Sequence, residues 1–146
     1  MVDLEKLTRR WFTLNNARDF DGLRAMYAPN AVYERVNGSS EGADDIVAYL
    51  RGLKSSFPDH GAEINDILVS DNAVVVEWTE TESHTIPYDT GAGGEIAPSG
   101  TSFSTKIVDI LRFDADIITS QREYFDRLGL LTNLGWIETT YRTGSS

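Results

Sequence analysis

IITSQREYFDRLGLLTNLG, residues 117 to 135, is the stretch from which the rest of the chain is read. Its first nine residues mix branched, aromatic and polar side chains, and strand side chains alternate between faces. Gln121, Glu123 and Phe125 therefore share one face of a strand over Ile117–Phe125. At Asp126 the period changes. Leu128, Leu130, Leu131 and Leu134 recur at helical spacing, with Asp126 placed to cap the helix. An amide and a carboxylate beside an aromatic on one strand face can hold a proton-handling group in a pocket. A sheet face turned to water carries the same pattern, so burial decides between the two.

Working outward, Thr101–Phe113 reads as the preceding strand, joined by the turn Asp114-Ala115-Asp116. Before it, Ala62–Ser70 and Ala73 to about Thr85 are strands separated by Asp71-Asn72. Tyr88–Gly100 is rich in Gly, Pro and Ser and reads as a long loop. Toward the N-terminus, Asp3 caps a helix in which Leu4, Leu7, Trp11 and Leu14 recur up to about Arg18. Asp19–Tyr27 is a second, short helix closed by Pro29, Ala31–Val36 a strand, and Asn37–Ser40 a turn. A third helix spans Ala43–Phe57 and stops at Pro58. The tail after Trp136 is expected to be loose. Consecutive strands with tight turns pair antiparallel, and helices set apart from strands indicate an α+β domain. The expectation is one domain over 1–146, with its core at about 4–136. A curved antiparallel sheet wraps three N-terminal helices and leaves a cavity between them.

Composition narrows the function. The 146 residues carry 13 basic and 23 acidic side chains, a net charge of −10. Such a field repels a phosphate backbone, and no basic cluster offsets it, so nucleic acid is not an expected partner. There is no cysteine for disulfides, thiolate metal sites or a thiol nucleophile. No apolar run reaches the roughly 20 residues of a membrane span. MVDLEKLTRR lacks a signal-type apolar segment, and a cytoplasmic protein is expected. The two histidines, His60 and His84, lack ligand spacing, so no metal is expected.

Glu123 is the first catalytic candidate. In an apolar cone, burial raises a carboxyl pKa toward neutrality, which suits a general acid or base. Asp109 lies in IVDILRF, where an acid among apolar neighbours is costly unless paired or functional. If the two share a pocket, one is pushed toward the neutral form. Glu80 shares a strand face with Trp78, Glu82 and His84. It is a candidate second acid, Trp78 a candidate wall, and the alternative is a charged, solvated strand end. Tyr33 can donate a hydrogen bond to a substrate oxygen and Gln121 can orient a carbonyl or water. His84, beside the long loop, could titrate near neutral pH at a pocket mouth.

MYAPNAVYE (26–34), the third helix opening at Gly42, VVVEWTETESH (74–84), APSG (97–100) and ITSQREYFDRLGLLTNLG (118–135) resemble the nuclear-transport-factor-2-like superfamily, and within it the SnoaL-like polyketide cyclases. The resemblance covers about Leu4 to Gly135. It implies a cone-shaped fold, often dimeric, with a deep apolar pocket. It also implies a pocket acid on the last strand that moves a proton during aldol ring closure; general acid–base chemistry on a carbonyl requires only positioned groups, so no metal or organic cofactor is expected. That acid falls on Glu123, and the cyclases' histidine two residues earlier falls on Gln121. Further pocket positions fall on Tyr33, Ile107 and Asp109. Limonene-type epoxide hydrolases look similar at QREYFD, with their acid again on Glu123. Their arginine and aspartate fall on Trp78 and Glu80, their tyrosine on Tyr33 and their asparagine on Arg35. Ketosteroid isomerases place an aspartate after a glutamate on the first strand, where this chain has Glu34-Arg35.

The function expected is therefore general acid–base catalysis on an apolar, carbonyl-bearing small molecule in a homodimer. The alternatives are an epoxide hydrolase with the acid pair Glu80 and Glu123, or a non-catalytic ligand-binding or assembly domain.

Overall fold

The computed structural model describes residues 1–144. Helix α1 (Leu4–Ala17) begins where the Asp3 side chain accepts from the Lys6 N–H at 3.0 Å. Helix α2 (Phe20–Ala25) is capped the same way by Asp19. Strand β1 (Tyr27–Arg35) starts four residues before the expected Ala31, so the second helix is shorter than its sequence suggests. Tyr27 is drawn into the sheet by two buried bonds of its hydroxyl, to Trp11 and Gln121. Pro29 is tolerated because its segment falls where the β1 ladder is irregular, between Tyr27 and Val32.

Strand β2 (Gly38–Glu41) occupies most of the expected turn Asn37–Ser40. Ser39 and Ser40 have weak strand preference, but pairing with Glu34 and Tyr33 overrides it. Helix α3 (Ala43–Ser56) follows Gly42, which sits at φ 89°, where a Cβ would meet the Pro29 carbonyl oxygen at 3.2 Å. Strands β3 (Gly61–Val69) and β4 (Ala73–Ser83) form a hairpin. The expected loop 88–100 folds back through a short hairpin, β5 (Tyr88–Asp89) and β6 (Glu95–Ile96). Strands β7 (Ser102–Asp114) and β8 (Ile117–Phe125) pair antiparallel, and α4 (Arg127–Asn133) is capped by Asp126 as expected.

The sheet order is β2-β1-β8-β7-β4-β3. Every pair is antiparallel except β1–β8, which is parallel. Consecutive strands joined by tight turns pair antiparallel, as expected. Strands β1 and β8 are joined by nearly the whole intervening chain, which leaves them free to run parallel. Helix α1 packs on β3 and β4, and α3 on β1 and β2, so the helices cover one face of the sheet. The main core lies there and includes Trp11, Leu23, Ile46, Leu50, Val76 and Leu111. Among the described residues, no helix is long and apolar enough to cross a membrane.

The β7–β8 turn holds Ala115 at φ 53°. A left-handed conformation costs a residue with a Cβ about 1–2 kcal/mol, partly offset in glycine by greater chain entropy. Ala115→Gly is expected to raise stability by about 0.5–1 kcal/mol, read as a higher urea midpoint. An equal or lower midpoint would count against strain at this turn.

Candidate active site

Strand alternation turns one face of β4, β7 and β8 toward the helices, and the acids on that face are carried inside. Between sheet and helices lies a cavity of about 500 Å³. Aromatic side chains, including Trp11, Tyr33, Tyr49 and Trp78, make up much of its wall. A smaller apolar cluster at the mouth joins Phe57, Phe103 and Leu134 with Tyr88 and Trp136. The C-terminal helix and the hairpin loop thus help to close one end, with the Tyr88 and Trp136 rings tilted against each other, centroids 4.4 Å apart.

Glu123 lines the cavity and is 6% exposed. The Tyr33 hydroxyl donates to its Oε1 at 2.6 Å. Behind it stands Asp109, its direct neighbour across the β7–β8 ladder. Asp109 accepts from Trp78 Nε1 at 3.1 Å and from Gln121 Nε2 at 2.6 Å. The Gln121 carbonyl accepts from the Tyr27 hydroxyl at 2.5 Å, which itself accepts from Trp11 Nε1 at 2.7 Å. This buried chain starts at Trp11 in the cavity wall and runs behind it through Tyr27 and Gln121 to Asp109.

The chain separates the two acids electrostatically. Burial pushes Asp109 up to about 6, while the Gln121 and Trp78 donors pull it back down. Burial, then the charge of Asp109, drives Glu123 well above the carboxylate range. The Tyr33 bond opposes that rise without cancelling it. Of the two, Glu123 is pushed further toward the protonated form, and Asp109 gives up its proton first.

A second polar cluster lies on the same wall. Lys54 Nζ is 2.6 Å from His60 Nδ1, and His60 Nε2 is 2.5 Å from Glu80 Oε1. A charged lysine can only donate, so Nδ1 accepts and Nε2 carries the ring proton toward Glu80. Glu82 Oε2 is 3.9 Å from the same Nε2. Burial, then the charge of Glu80, pushes Glu82 up to about 9, and burial brings Lys54 down to about 8.

Of the residues expected to form the site, Tyr33, Trp78, Glu80, Ile107 and Glu123 line the cavity. Asp109, Gln121 and His84 are buried but stand behind the lining. His84 is fully buried, its Nδ1 accepting from Trp136 Nε1 at 3.4 Å, and it packs under the mouth cluster. The end of β4 is not solvated: Glu80 and Glu82 are 7% and 3% exposed. Sequence reading missed His60, Lys54, Tyr27 and Tyr49. Glu82 was legible, because it alternates with Glu80. His60 was not, because it sits in the non-repetitive link between α3 and β3.

The sequence profile of the SnoaL-like domain family matches residues 8–121. No curated protein matches the chain. Among solved structures, AclR, a proposed hydroxylase from Streptomyces galilaeus, is 22% identical, with 92% of this chain and 96% of that chain covered at a TM-score of 0.77. IdmH, a proposed polyketide cyclase from Streptomyces antibioticus, is 20% identical over 90% of this chain and 97% of its own, also at 0.77. A proposed SnoaL-like polyketide cyclase from Jannaschia sp. CCS1 is 21% identical, with 91% and 92% covered at 0.78. At such identities the likeness establishes the nuclear-transport-factor-2-like fold. The profile match spans most of the sequence, and the chain belongs to the SnoaL-like domain family.

Proposed function

We propose that the cavity is the active site of a cofactor-independent acid–base enzyme that closes a ring in an apolar, carbonyl-bearing substrate. The observation that carries this reading is Glu123: a protonated carboxyl on the wall of an aromatic cavity, held by Tyr33 and backed by the charge of Asp109. A general acid of raised pKa suits protonation of a carbonyl oxygen as a carbon–carbon bond forms. The donor, a carbon between two carbonyls, attacks as its enol, and Glu123, left as carboxylate, takes up the enol hydroxyl proton as that oxygen returns to a carbonyl. Over one turnover the proton moves from carbon to oxygen and Glu123 ends as it began. Tyr33 steadies Glu123. Asp109 and Gln121 act through Glu123 and are positioning residues. Trp78 and Ile107 shape the wall, and the protein works as a homodimer.

The family and the named function of IdmH support this reading. An epoxide hydrolase needs Glu80 and Glu123 to share one water, and Glu80 is engaged by His60 instead. The test is ring closure itself. Aromatic β-keto esters with a free aldehyde or ketone acceptor are incubated with the protein, and closure is followed by absorbance. Closure well above the buffer rate supports the proposal. Saturable binding with no closure across the panel overturns it in favour of a ligand-binding domain.

Tyr33→Phe removes the bond that holds Glu123 down, so the Glu123 pKa rises further and its proton is given up less readily. Turnover is expected to fall by about tenfold, roughly the upper end for one hydrogen bond between neutral groups. The falling limb of the pH–rate profile shifts to higher pH. A shift to lower pH would count against this role for Tyr33.

A further inference from the structure

We infer that His60, Glu80 and Glu82 form a binding site for a single divalent metal ion on the cavity wall. One ligand atom from each lies within 4.8 Å of the others, and all three residues line the cavity. Glu80 and Glu82 are two apart on β4, so strand alternation aims both carboxylates the same way. The backbone beneath them is paired on both sides at Glu80, with Ala62 of β3 and Thr105 of β7. His60 is fixed from behind, its Nδ1 and its carbonyl both taken by Lys54 Nζ, at 2.6 and 3.2 Å. Its Nε2 faces both carboxylates, 2.5 Å from Glu80 Oε1 and 3.9 Å from Glu82 Oε2.

An independent observation points to a ligand. Glu82 is 3% exposed, and its Oε2 has no hydrogen-bond partner. A buried carboxylate oxygen is costly to leave unmatched. A proton alone does not answer this, because the resulting O–H has no acceptor. A cation between Glu82, Glu80 and His60 does. One imidazole and two carboxylates suit zinc, manganese or ferrous iron. Three protein ligands also leave coordination positions open to the cavity, as catalytic rather than structural metal sites do. Lys54 is the nearest opposing charge. It lies on the far side of the imidazole, bonded to Nδ1, and leaves the face between the three ligand atoms clear. Uptake of the ion displaces the Nε2 proton of His60, and the proton that Glu82 holds below about 9, into the buffer. The inference rests on this cluster and does not depend on the role proposed for Glu123.

The test is calorimetric titration of zinc chloride into the chelator-treated full chain, in two buffers of different ionisation heat. One equivalent is expected to bind with proton release. Affinity falls by more than about tenfold in His60→Asn and in Glu82→Gln, at least the loss typical of disturbing a metal ligand's surroundings. Glu82→Gln keeps the side-chain shape and removes a buried ionisable group, so it leaves the fold intact, as circular dichroism would confirm. Glu77→Gln, on the exposed opposite face of β4, binds zinc as the native chain does. Absence of saturable uptake would overturn the site. So would native affinity in Glu82→Gln, or an equal loss in Glu77→Gln, which would assign the ion to the acidic surface. Saturable methylammonium binding without zinc uptake would overturn it in favour of an organic cation.

Discussion

Glu123→Gln lowers turnover of a cyclisation substrate by about 10²- to 10⁴-fold, the usual contribution of a positioned general acid, while ligand affinity stays close to native. The amide has the shape of the acid and can still accept from Tyr33, but it has no proton to give at neutral pH. A uniform binding role would raise KM and spare kcat. The split is therefore the decisive readout: a loss in kcat supports proton transfer, and native kcat in a folded variant removes Glu123 from the chemistry.

The same variant has a stability signature. Asp109 and Glu123 both have folded pKa values above their ordinary ones, so the native state holds more protons than the unfolded chain over that interval. Stability then falls as pH rises. For Asp109 the window runs from its ordinary 3.8 to about 6; for Glu123 it runs from 4.5 upward. Each group contributes a slope of at most about 1.4 kcal/mol per pH unit inside its window. Urea midpoints are expected to fall between pH 5 and 8 in the native chain and to fall less in Glu123→Gln. Glu82 leaves a residual slope of the same sign. Identical slopes in the two proteins would show that Glu123 does not hold its proton abnormally.

Gln121→Leu is expected to cost about 3–5 kcal/mol of stability, the range for stripping a partner from a buried charge. Leucine leaves Asp109 Oδ2 without its 2.6 Å donor and the Tyr27 hydroxyl without its 2.5 Å acceptor. Both groups are buried, so water cannot take over either bond. Gln121→His should recover most of the loss, because neutral imidazole offers one acceptor toward Tyr27 and one donor toward Asp109. Histidine is also the residue that the resemblance places here in the cyclases. A urea titration of native, Leu and His variants checks both statements. A small loss in Gln121→Leu would mean that Asp109 takes up a proton and survives as the neutral acid.

Much of the fold was legible because it depends on local chemistry. Asp3 and Asp126 each precede a helix that they cap, as their sequence neighbours indicate. The period-two pattern of residues 101–125 gave the β7–β8 hairpin, and Asp114-Ala115-Asp116 gave its turn. What failed was the part set by distant partners. Tyr27 reads as a helix end, yet Gln121, 94 residues away, makes it a strand. Ser39 and Ser40 read as turn, yet pairing with β1 makes them an edge strand. The site divides in the same way. Glu123, Gln121, Asp109 and Glu80 could be picked out as acids or amides on apolar strand faces. His60, Lys54 and Tyr49 could not, since nothing in their neighbourhood marks them.

The sequence by itself determined which residues face together along each strand, where the helices begin, and that the chain resembles the SnoaL-like cyclases. Those properties follow from period, capping and turn chemistry, which act over a few residues. Only the tertiary structure decided which shared faces are buried, and that gives each acid its chemistry. Desolvation and the neighbouring charge of Asp109 push Glu123 toward the protonated form. The meeting of α3, the α3–β3 link and β4 makes a cluster of Lys54, His60, Glu80 and Glu82. The same alternation of residues 117–125 would describe a wet sheet face. It describes a candidate active site because the helices close over it and exclude water.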